Sequence, residues 1–257
     1  MSETLNLRGL KAYADHVLHL ARYRLLRPAL STTRFVIFGR GRSGTTTLVS
    51  LLDAHPSIVC EGEILSRPVF WPLEHVLAHC ANASASVYGC KILSYQLSQV
   101  QPLRQRTVFV RQLYDHGFRV IYLRRRDLLR HALSNLRARE FGFHARTSET
   151  VPSAPIVVDP QVLMQWLHGS ASLAAFEAGS LQTVPHLSLT YEDHLADEAR
   201  HQTTANTICE YLGLEPAVVT TSYRKLSPVA LRAAIANYDQ VAQALQGTPY
   251  AAFLDQD

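Results

Sequence analysis

Short apolar runs alternate with longer amphipathic stretches along most of the chain. Four of the runs are rich in β-branched or aromatic residues and have the length of buried strands: 34–38, 87–93, 119–124 and 184–191. Helical periodicity occupies six further stretches: 45–54, 71–81, 104–116, 126–140, 160–178 and 194–212. Because strands that alternate with helices form parallel sheets covered on both faces, the pattern predicts a three-layer α/β fold with a central parallel sheet.

The whole chain, residues 1–257, is expected to form a single domain, with two segments that depart from this alternation. Residues 1–30 are amphipathic, and charges interrupt each apolar block, which predicts a surface helix rather than a signal peptide. Contact of this helix with a membrane surface is the alternative. Residues 141–160 contain three prolines and no periodicity, so we expect a lid or substrate-binding loop there.

Composition narrows the function classes less than the pattern does. Hydrophobic residues make up 47% of the chain and charged residues 18%, as in ordinary globular proteins. No run of about 18 apolar residues occurs, so no transmembrane helix is expected. The four cysteines form no CxxC pair, which favours buried, reduced thiols in a cytoplasmic protein. A net charge of +4 favours anionic ligands mildly and does not by itself indicate nucleic acid.

The segment FVIFGRGRSGTTTLVSLL combines an apolar strand, a glycine-rich turn and a helix. Such a turn directs the N–H groups and the dipole of the helix at one point, where they stabilise an anion. Gly39 and Gly44 have the spacing of a nucleoside-triphosphate loop, but Thr45 stands where that loop has its lysine. Arg40 and Arg42 supply guanidinium groups instead, which suit a tetrahedral anion such as phosphate or sulfonate.

A second basic segment, YLRRRDLLRHALSNLRARE, follows the third predicted strand. At about 100° per residue, one helical stripe is basic and contains one serine: Arg126, Arg130, Ser134 and Arg137. The opposite stripe is apolar and predicts burial: Leu129, Ala132, Leu133 and Leu136. The basic stripe is expected to face outward, toward an anion. A solvated arginine face or a nucleic-acid-binding helix is the alternative when this segment is taken alone.

Together the two segments resemble the sulfotransferases that use 3′-phosphoadenosine 5′-phosphosulfate (PAPS). Their 5′-phosphosulfate loop is matched by the run from Arg42 to Thr47, and Arg42 and Thr47 are more similar to the bacterial carbohydrate and glycolipid branch than to the cytosolic one. The resemblance implies a P-loop NTPase-like fold and a 5′-phosphosulfate site built from eight residues: Arg40, Gly41, Arg42, Ser43, Gly44, Thr45, Thr46 and Thr47. It implies a 3′-phosphate site at Arg126 and Ser134.

Two weaker similarities extend the resemblance toward the C-terminus. Tyr191, in the segment LTYEDH, resembles a family tyrosine that contacts adenine. Arg224 and Lys225 resemble a basic segment that closes over the 3′-phosphate, without the glycine that follows it in the cytosolic branch. The first two motifs are the specific ones.

The acceptor hydroxyl needs a base, and two carboxylates follow the first helix. Glu61 and Glu63 lie in HPSIVCEGEIL, and in similar carbohydrate sulfotransferases a glutamate after glycine is the base, which corresponds to Glu63. The alternatives are Glu61 as the base, or glutamates that pair with nearby arginines. Lys91 interrupts an apolar strand, and the resemblance implies that it stabilises the transferring sulfuryl group. Arg42 and the N-terminus of the helix that begins at Thr45 are expected to take up the charge of the leaving phosphate. A solvent-exposed strand end is the alternative for Lys91.

The leading hypothesis is therefore a PAPS-dependent transfer of a sulfuryl group to an acceptor hydroxyl, without a metal, on a carbohydrate or glycolipid. A small-molecule alcohol or amine is the alternative acceptor. His75 and His79 are four residues apart but have no third ligand in view, so we interpret them as surface or packing residues. A degenerate P-loop kinase or NTPase is the second hypothesis, and an arginine-rich nucleic-acid-binding protein is the third.

Overall fold

A five-stranded parallel sheet forms the centre of the computed structural model, which describes residues 17–18, 20–83, 85–141, 154–223 and 230–254. The strands are β1 (Thr33–Gly39), β2 (Ile58–Glu63), β3 (Val87–Leu93), β4 (Phe118–Arg124) and β5 (His186–Thr190). Their order across the sheet is β2-β3-β1-β4-β5, and each neighbouring pair is parallel. This confirms the predicted α/β fold with a central parallel sheet.

Helices cover both faces of this sheet. Residues 20–26 of the N-terminal segment are helical. Beyond that segment the α-helices of the described residues are α1 (Thr45–Asp53), α2 (Pro72–Asn82), α3 (Phe109–Asp115), α4 (Leu128–Phe141), α5 (Pro160–Leu181), α6 (Tyr191–His194), α7 (His201–Leu212), α8 (Leu231–Ala234) and α9 (Tyr238–Leu245). A π-helical turn spans Gln96–Val100, and 3₁₀ turns span Arg106–Val108, Glu198–Arg200 and Ala251–Phe253. None of the helices within the described ranges is long and apolar enough to cross a membrane.

The alternation of side chains along β1 divides the core into two layers. Val36 and Phe38 pack with α2 and α3 on one face, whereas Phe35 and Ile37 pack with α1 and α7 on the other. A third apolar cluster joins α4, α5, α8 and α9 beyond the sheet, and it includes Leu129, Ala132 and Leu133 of the predicted apolar stripe. The four cysteines are buried and free.

All four predicted strands are present, but the prediction missed the fifth strand, β2, which begins two residues after a proline. The single helix expected over 194–212 is divided into α6, a 3₁₀ turn and α7. The helix expected from residue 126 begins at Leu128, because the Asp127 carboxylate accepts the Arg130 amide at 2.8 Å and the Asp127 carbonyl accepts the next helical amide.

Only parts of the two irregular segments lie within the described residues. In the N-terminal segment Leu20 is buried and helical. In the segment 141–160, Ile156 bridges to Ile235 and Val158 is buried in the third cluster, while Asp159 caps α5 by accepting the Gln161 amide. The lid hypothesis therefore rests on residues 142–153, which lie outside the described residues.

Candidate functional site

A cavity of about 740 Å³ opens at the edge of the sheet where the parallel strands end. It is lined by the turn after β1, the ends of β2 and β3, and the helices α4 and α5. Ligands of open α/β sheets bind at this edge. Six of the residues predicted for the site line this cavity: Arg40, Gly41, Arg42, Thr45, Thr46 and Glu63.

The turn between β1 and α1 has a conformation that leaves the helix start available to an anion. Arg42 and Gly44 both adopt left-handed backbone angles, with φ of 65° and 85°. A Cβ atom on Gly44 would lie 2.7 Å from the Tyr191 ring, so the turn requires glycine for space as well as for conformation. Gly44 is the N-cap of α1 and provides no side-chain cap, and the first turn of α1 contains no acidic residue. The helix N-terminus therefore favours an external anion.

Arg40 is held in a buried network that the sequence did not reveal. Its Nε lies 3.4 Å from the Glu177 carboxylate of α5, and its guanidinium also donates to the hydroxyl and carbonyl oxygens of Ser170. Glu177 is fully buried and accepts from Ser94 at 2.7 Å and from Tyr122 at 2.8 Å. Burial beside this carboxylate raises the pKa of Tyr122, so its hydroxyl remains a donor. The network fixes the start of the turn to α5.

Arg42 connects the turn to α4. Its Nε donates to the Ser134 hydroxyl at 3.3 Å, and its carbonyl oxygen accepts from Arg125 at 3.3 Å. The structure thus brings together Arg42 and Ser134, which come from the two sequence motifs. Arg125 is buried and was not among the predicted site residues, because its neighbours in the run Arg124 to Arg126 are chemically identical to it.

Lys91 joins the turn to the candidate base. It is buried, and its Nζ lies 3.1 Å from the Thr46 hydroxyl and 3.1 Å from the Glu63 carboxylate. The alternative of an exposed strand end is therefore wrong for Lys91. Glu63 also accepts from Gln96 at 3.1 Å and from Tyr95 at 3.4 Å.

Glu61 and Glu63 have different surroundings although they are two residues apart. The pairing of β2 with β3 is irregular between them, and a β-bulge of this kind redirects side chains. Glu61 does not line the cavity and accepts from His79 at 2.7 Å and Tyr88 at 2.8 Å. Burial alone raises the pKa of Glu61, but the hydrogen bonds from His79 and Tyr88 outweigh it and the net pKa is lowered. The alternative that these glutamates pair with arginines finds no such pair among the described residues, where Glu61 contacts His79 and Glu63 contacts Lys91.

Of the two neighbouring histidines of α2, His75 is a buried packing residue and His79 contacts the Glu61 carboxylate. His75 is buried, and its Nε2 donates to the Ile64 carbonyl oxygen at 3.1 Å, while the two rings meet edge to face. No group of three or more metal-ligating side chains is found among the described residues.

Arg126 and Ser134, which were predicted to share the 3′-phosphate site, do not contact each other within the described structure. The Arg126 side chain is 58% exposed and pairs with Asp193, and the Arg126 backbone amide donates to Glu192. The basic stripe predicted to face outward is wrong in one respect, because Ser134 and Arg137 are buried and Arg137 donates to the Ala154 carbonyl oxygen. Residues around one side of α4 line the cavity instead: His131, Asn135 and Arg139.

Tyr191 lies behind the turn rather than along the cavity. Its ring contacts Gly44, and the Arg125 guanidinium lies 4.6 Å from its centroid. Burial raises the pKa of the Tyr191 phenol. Arg224 and Lys225 lie outside the described residues, so their predicted role stays a prediction.

His131 was also missed by sequence reasoning. Its Nε2 donates to the Gly41 carbonyl oxygen at 2.6 Å, and its ring meets Trp166 of α5 edge to face at 4.8 Å. Burial lowers the pKa of His131 to about 3, so the imidazole is neutral. The sequence signal was the spacing of His131, Asn135 and Arg139 by four residues, which places them on one helix face.

The strand order and the anion-accepting turn define an α/β fold of the phosphate-loop type. Among solved structures, a sulfotransferase from Alicyclobacillus acidocaldarius has a similar fold, with a TM-score of 0.50 and 14% sequence identity. The match covers 86% of this chain and 94% of that one. No family model and no curated protein matched the sequence. The chain therefore shares the fold of that sulfotransferase, as the sequence motifs predicted.

Proposed function

We propose that the protein is a PAPS-dependent sulfotransferase that acts on an acceptor hydroxyl, on a carbohydrate or glycolipid. The observation that carries this proposal is the position of Lys91, within 3.1 Å of both the Thr46 hydroxyl and the Glu63 carboxylate. It joins an anion-accepting helix start to a candidate base within one cavity. The shared fold with a known sulfotransferase supports the same function.

The residues of the turn fit a bound phosphosulfate group. The start of α1 has no side-chain cap, and the Ser43 hydroxyl is buried without a hydrogen-bond partner in the described structure. A buried hydroxyl without a partner is costly unless a ligand completes its hydrogen bonds. Together with Arg42, these groups would stabilise the 5′-phosphate of the leaving adenosine 3′,5′-bisphosphate.

The proposed reaction is an in-line displacement at sulfur. The acceptor oxygen forms a bond to sulfur as the bond between sulfur and the bridging phosphate oxygen breaks, and that oxygen keeps the electron pair. The acceptor proton passes to the Glu63 carboxylate. Lys91 and Arg42 offset the negative charge of the transferring group and of the leaving phosphate. No metal has a role in this scheme.

The second half of the nucleotide is assigned through the resemblance. Ser134, which already contacts Arg42, would bind the 3′-phosphate together with Arg126. Arg126 would have to exchange its contact with Asp193 for one with the nucleotide. Tyr191 would contact the adenine side, and Arg224 with Lys225 would close over the 3′-phosphate. The four free, buried cysteines accord with a cytoplasmic protein.

A degenerate kinase or NTPase is the second candidate, because Lys91 supplies from β3 the charge that a triphosphate loop places at position 45. The two strands that flank β1 argue against it. They end in Leu93 and Arg124, so neither offers the carboxylate that holds magnesium in those enzymes.

Calorimetric titration with adenosine 3′,5′-bisphosphate tests the proposal, with 5′-AMP and magnesium ATP as controls. We expect micromolar binding that requires the 3′-phosphate. A preference for magnesium ATP would favour the kinase, and no binding of any nucleotide would overturn the sulfotransferase assignment. A salt-sensitive affinity for random oligonucleotides would favour the nucleic-acid hypothesis.

A further inference from the structure

One face of α4 extends along the cavity away from the phosphate-binding turn. His131, Asn135 and Arg139 all line the cavity and follow one another at intervals of four residues. Residues four apart on a helix are neighbours on its surface. We call these three residues the α4 face. Trp166 and Leu173 of α5 line the same cavity.

The two inner residues of the α4 face have acceptor atoms without partners. Because the His131 Nε2 carries the proton that it donates to the Gly41 carbonyl oxygen, the Nδ1 of the neutral ring is unprotonated and can accept a hydrogen bond. This Nδ1 and the Asn135 Oδ1 are both buried, and neither has a hydrogen-bond partner within the described ranges. Such atoms are costly unless a ligand donates to them, and hydroxyl groups are suitable donors.

The outer residue of the α4 face is a cation. Arg139 is exposed, and its Cα lies about 12 Å along the helix axis from that of His131, at a rise of 1.5 Å per residue. Among the described lining residues the charged groups are Arg40, Arg42, Arg139 and Glu63. Glu63 is paired with Lys91, and Arg40 is paired with Glu177. The net positive charge of the lining therefore comes from Arg42 and Arg139. The cavity therefore repels a protonated amine and attracts an anionic group.

We propose that the α4 face binds the acceptor, and that the acceptor is a polyhydroxy compound that also has an anionic group such as a carboxylate. Its hydroxyls would donate to the His131 Nδ1 and the Asn135 Oδ1 once a small side-chain shift opens these buried atoms to the cavity, and its anionic group would bind Arg139. Trp166 would pack against its carbon skeleton. This proposal rests on the proposed function, because it names the acceptor class of the same site.

Binding of three matched disaccharides tests the acceptor class: a neutral one, one with a uronic acid carboxylate, and one with an amino group. Each is titrated with and without saturating adenosine 3′,5′-bisphosphate. We expect the carboxylate compound to bind about twofold to fivefold more tightly than the neutral one, the range of an exposed ion pair. The amino compound should bind least tightly. Preference for the neutral or the amino compound, or binding of none, would overturn the proposal.

Two variants identify the residues that recognise the acceptor. Arg139→Glu should remove the carboxylate preference, whereas Arg104→Glu, at an exposed arginine outside this cavity, should retain it. Asn135→Ala should weaken all three compounds by a similar factor. An unchanged preference in Arg139→Glu would overturn the proposal.

Binding of adenosine 3′,5′-bisphosphate distinguishes a failure of the donor-site assignment from a failure of the acceptor-class assignment. If the bisphosphate binds and the carboxylate preference is absent, the acceptor class is wrong and the donor site stands. If the bisphosphate does not bind and the carboxylate preference is present, the donor assignment is wrong. Unchanged bisphosphate affinity in the variants shows that they are folded.

Discussion

The inner end of the cavity, at the turn between β1 and α1 and the ends of β2 and β3, differs from the α4 face in how its polar groups are hydrogen-bonded. At the inner end the protein pairs Lys91 with Glu63, Arg42 with Ser134 and Arg40 with Glu177. The Ser43 hydroxyl, which has no hydrogen-bond partner in the described structure, is the exception there. On the α4 face, buried acceptors of His131 and Asn135 have no partner within the described part of the chain.

On the proposed function, this difference would separate the groups that act in the reaction from those that recognise the acceptor. Groups that stabilise charge in a reaction are most effective when they are already fixed by the protein. Groups that select a ligand gain most when the ligand completes their hydrogen bonds. Substitutions at the inner end should therefore change turnover, donor binding or stability, whereas those on the α4 face should change acceptor affinity.

The largest effect is expected for Glu63→Gln. Glutamine keeps the shape of the side chain but cannot accept the acceptor proton, so transfer should fall by about 10²–10⁴-fold. Affinity for adenosine 3′,5′-bisphosphate should stay unchanged. The measurement is transfer from labelled PAPS, together with the calorimetric titration.

Glu61→Gln is the matched control, because it removes a carboxylate from the same strand outside the cavity. Its turnover should remain close to that of the original protein. If Glu61→Gln loses transfer and Glu63→Gln retains it, the base assignment is reversed.

The next effect concerns the fixed position of Arg40. Glu177→Gln leaves a buried guanidinium without its carboxylate, so the free energy of unfolding should fall by about 3–5 kcal/mol. Urea denaturation measures this change as a lower midpoint. Ser94→Ala removes one neutral donor to the same carboxylate and leaves the ion pair with Arg40 in place, so it should cost less, about 1.5–3 kcal/mol. Equal losses in the two variants would show that the charge of Glu177 is unimportant.

Sequence patterns predicted the features of the site that depend on local structure. The turn after β1 could be predicted because the strand, the glycines and the helix are contiguous in sequence. The left-handed backbone conformation of Gly44 is part of that same local segment. Four strands and the parallel sheet followed from periodicity for the same reason.

The partners of Lys91, Glu61 and Arg40 could not be predicted, because they depend on register and on distant elements. An irregularity in the pairing of β2 with β3 places Glu63, rather than Gly62, opposite Lys91, while Glu61 pairs with Cys90. Glu177 reaches Arg40 from a helix far along the sequence. The cavity-lining side of α4 was misjudged because packing against α5, and not the chemistry of α4 alone, decides which residues are covered.

A smaller effect is expected for Ser134→Ala. It removes the hydroxyl that contacts Arg42 and that we assign to the 3′-phosphate. Loss of one hydrogen bond to a charged group should weaken the bisphosphate by roughly 10-fold to 100-fold. Binding of 5′-AMP should change little. Ser172→Ala, at an α5 serine that donates to the His168 carbonyl oxygen, is the control. Equal weakening of both nucleotides would contradict the 3′-phosphate assignment.

The smallest effect is a pH-dependent change in stability at Glu61. Its pKa is lowered below the ordinary value of 4.5, so the unfolded chain takes up this proton more readily than the folded protein does. The carboxylate therefore stabilises the fold above that value, and its contribution disappears as the pH falls through the lower, folded pKa. Glu61→Gln should cost less than about 1 kcal/mol at pH 7 because the side chain is partly exposed.

Urea midpoints of Glu61→Gln and the original protein should accordingly converge as the pH is lowered from 7 to below 4. Tyr88 can still donate to the glutamine oxygen of the variant. The stability difference that disappears at low pH is therefore due to the carboxylate charge, which His79 contacts. A difference that is the same at both pH values would mean that the carboxylate charge contributes nothing. Glu61 would then differ from Glu63 only in its position relative to the cavity. The β-bulge between them would be the sole reason that one carboxylate is structural and the other is proposed to react.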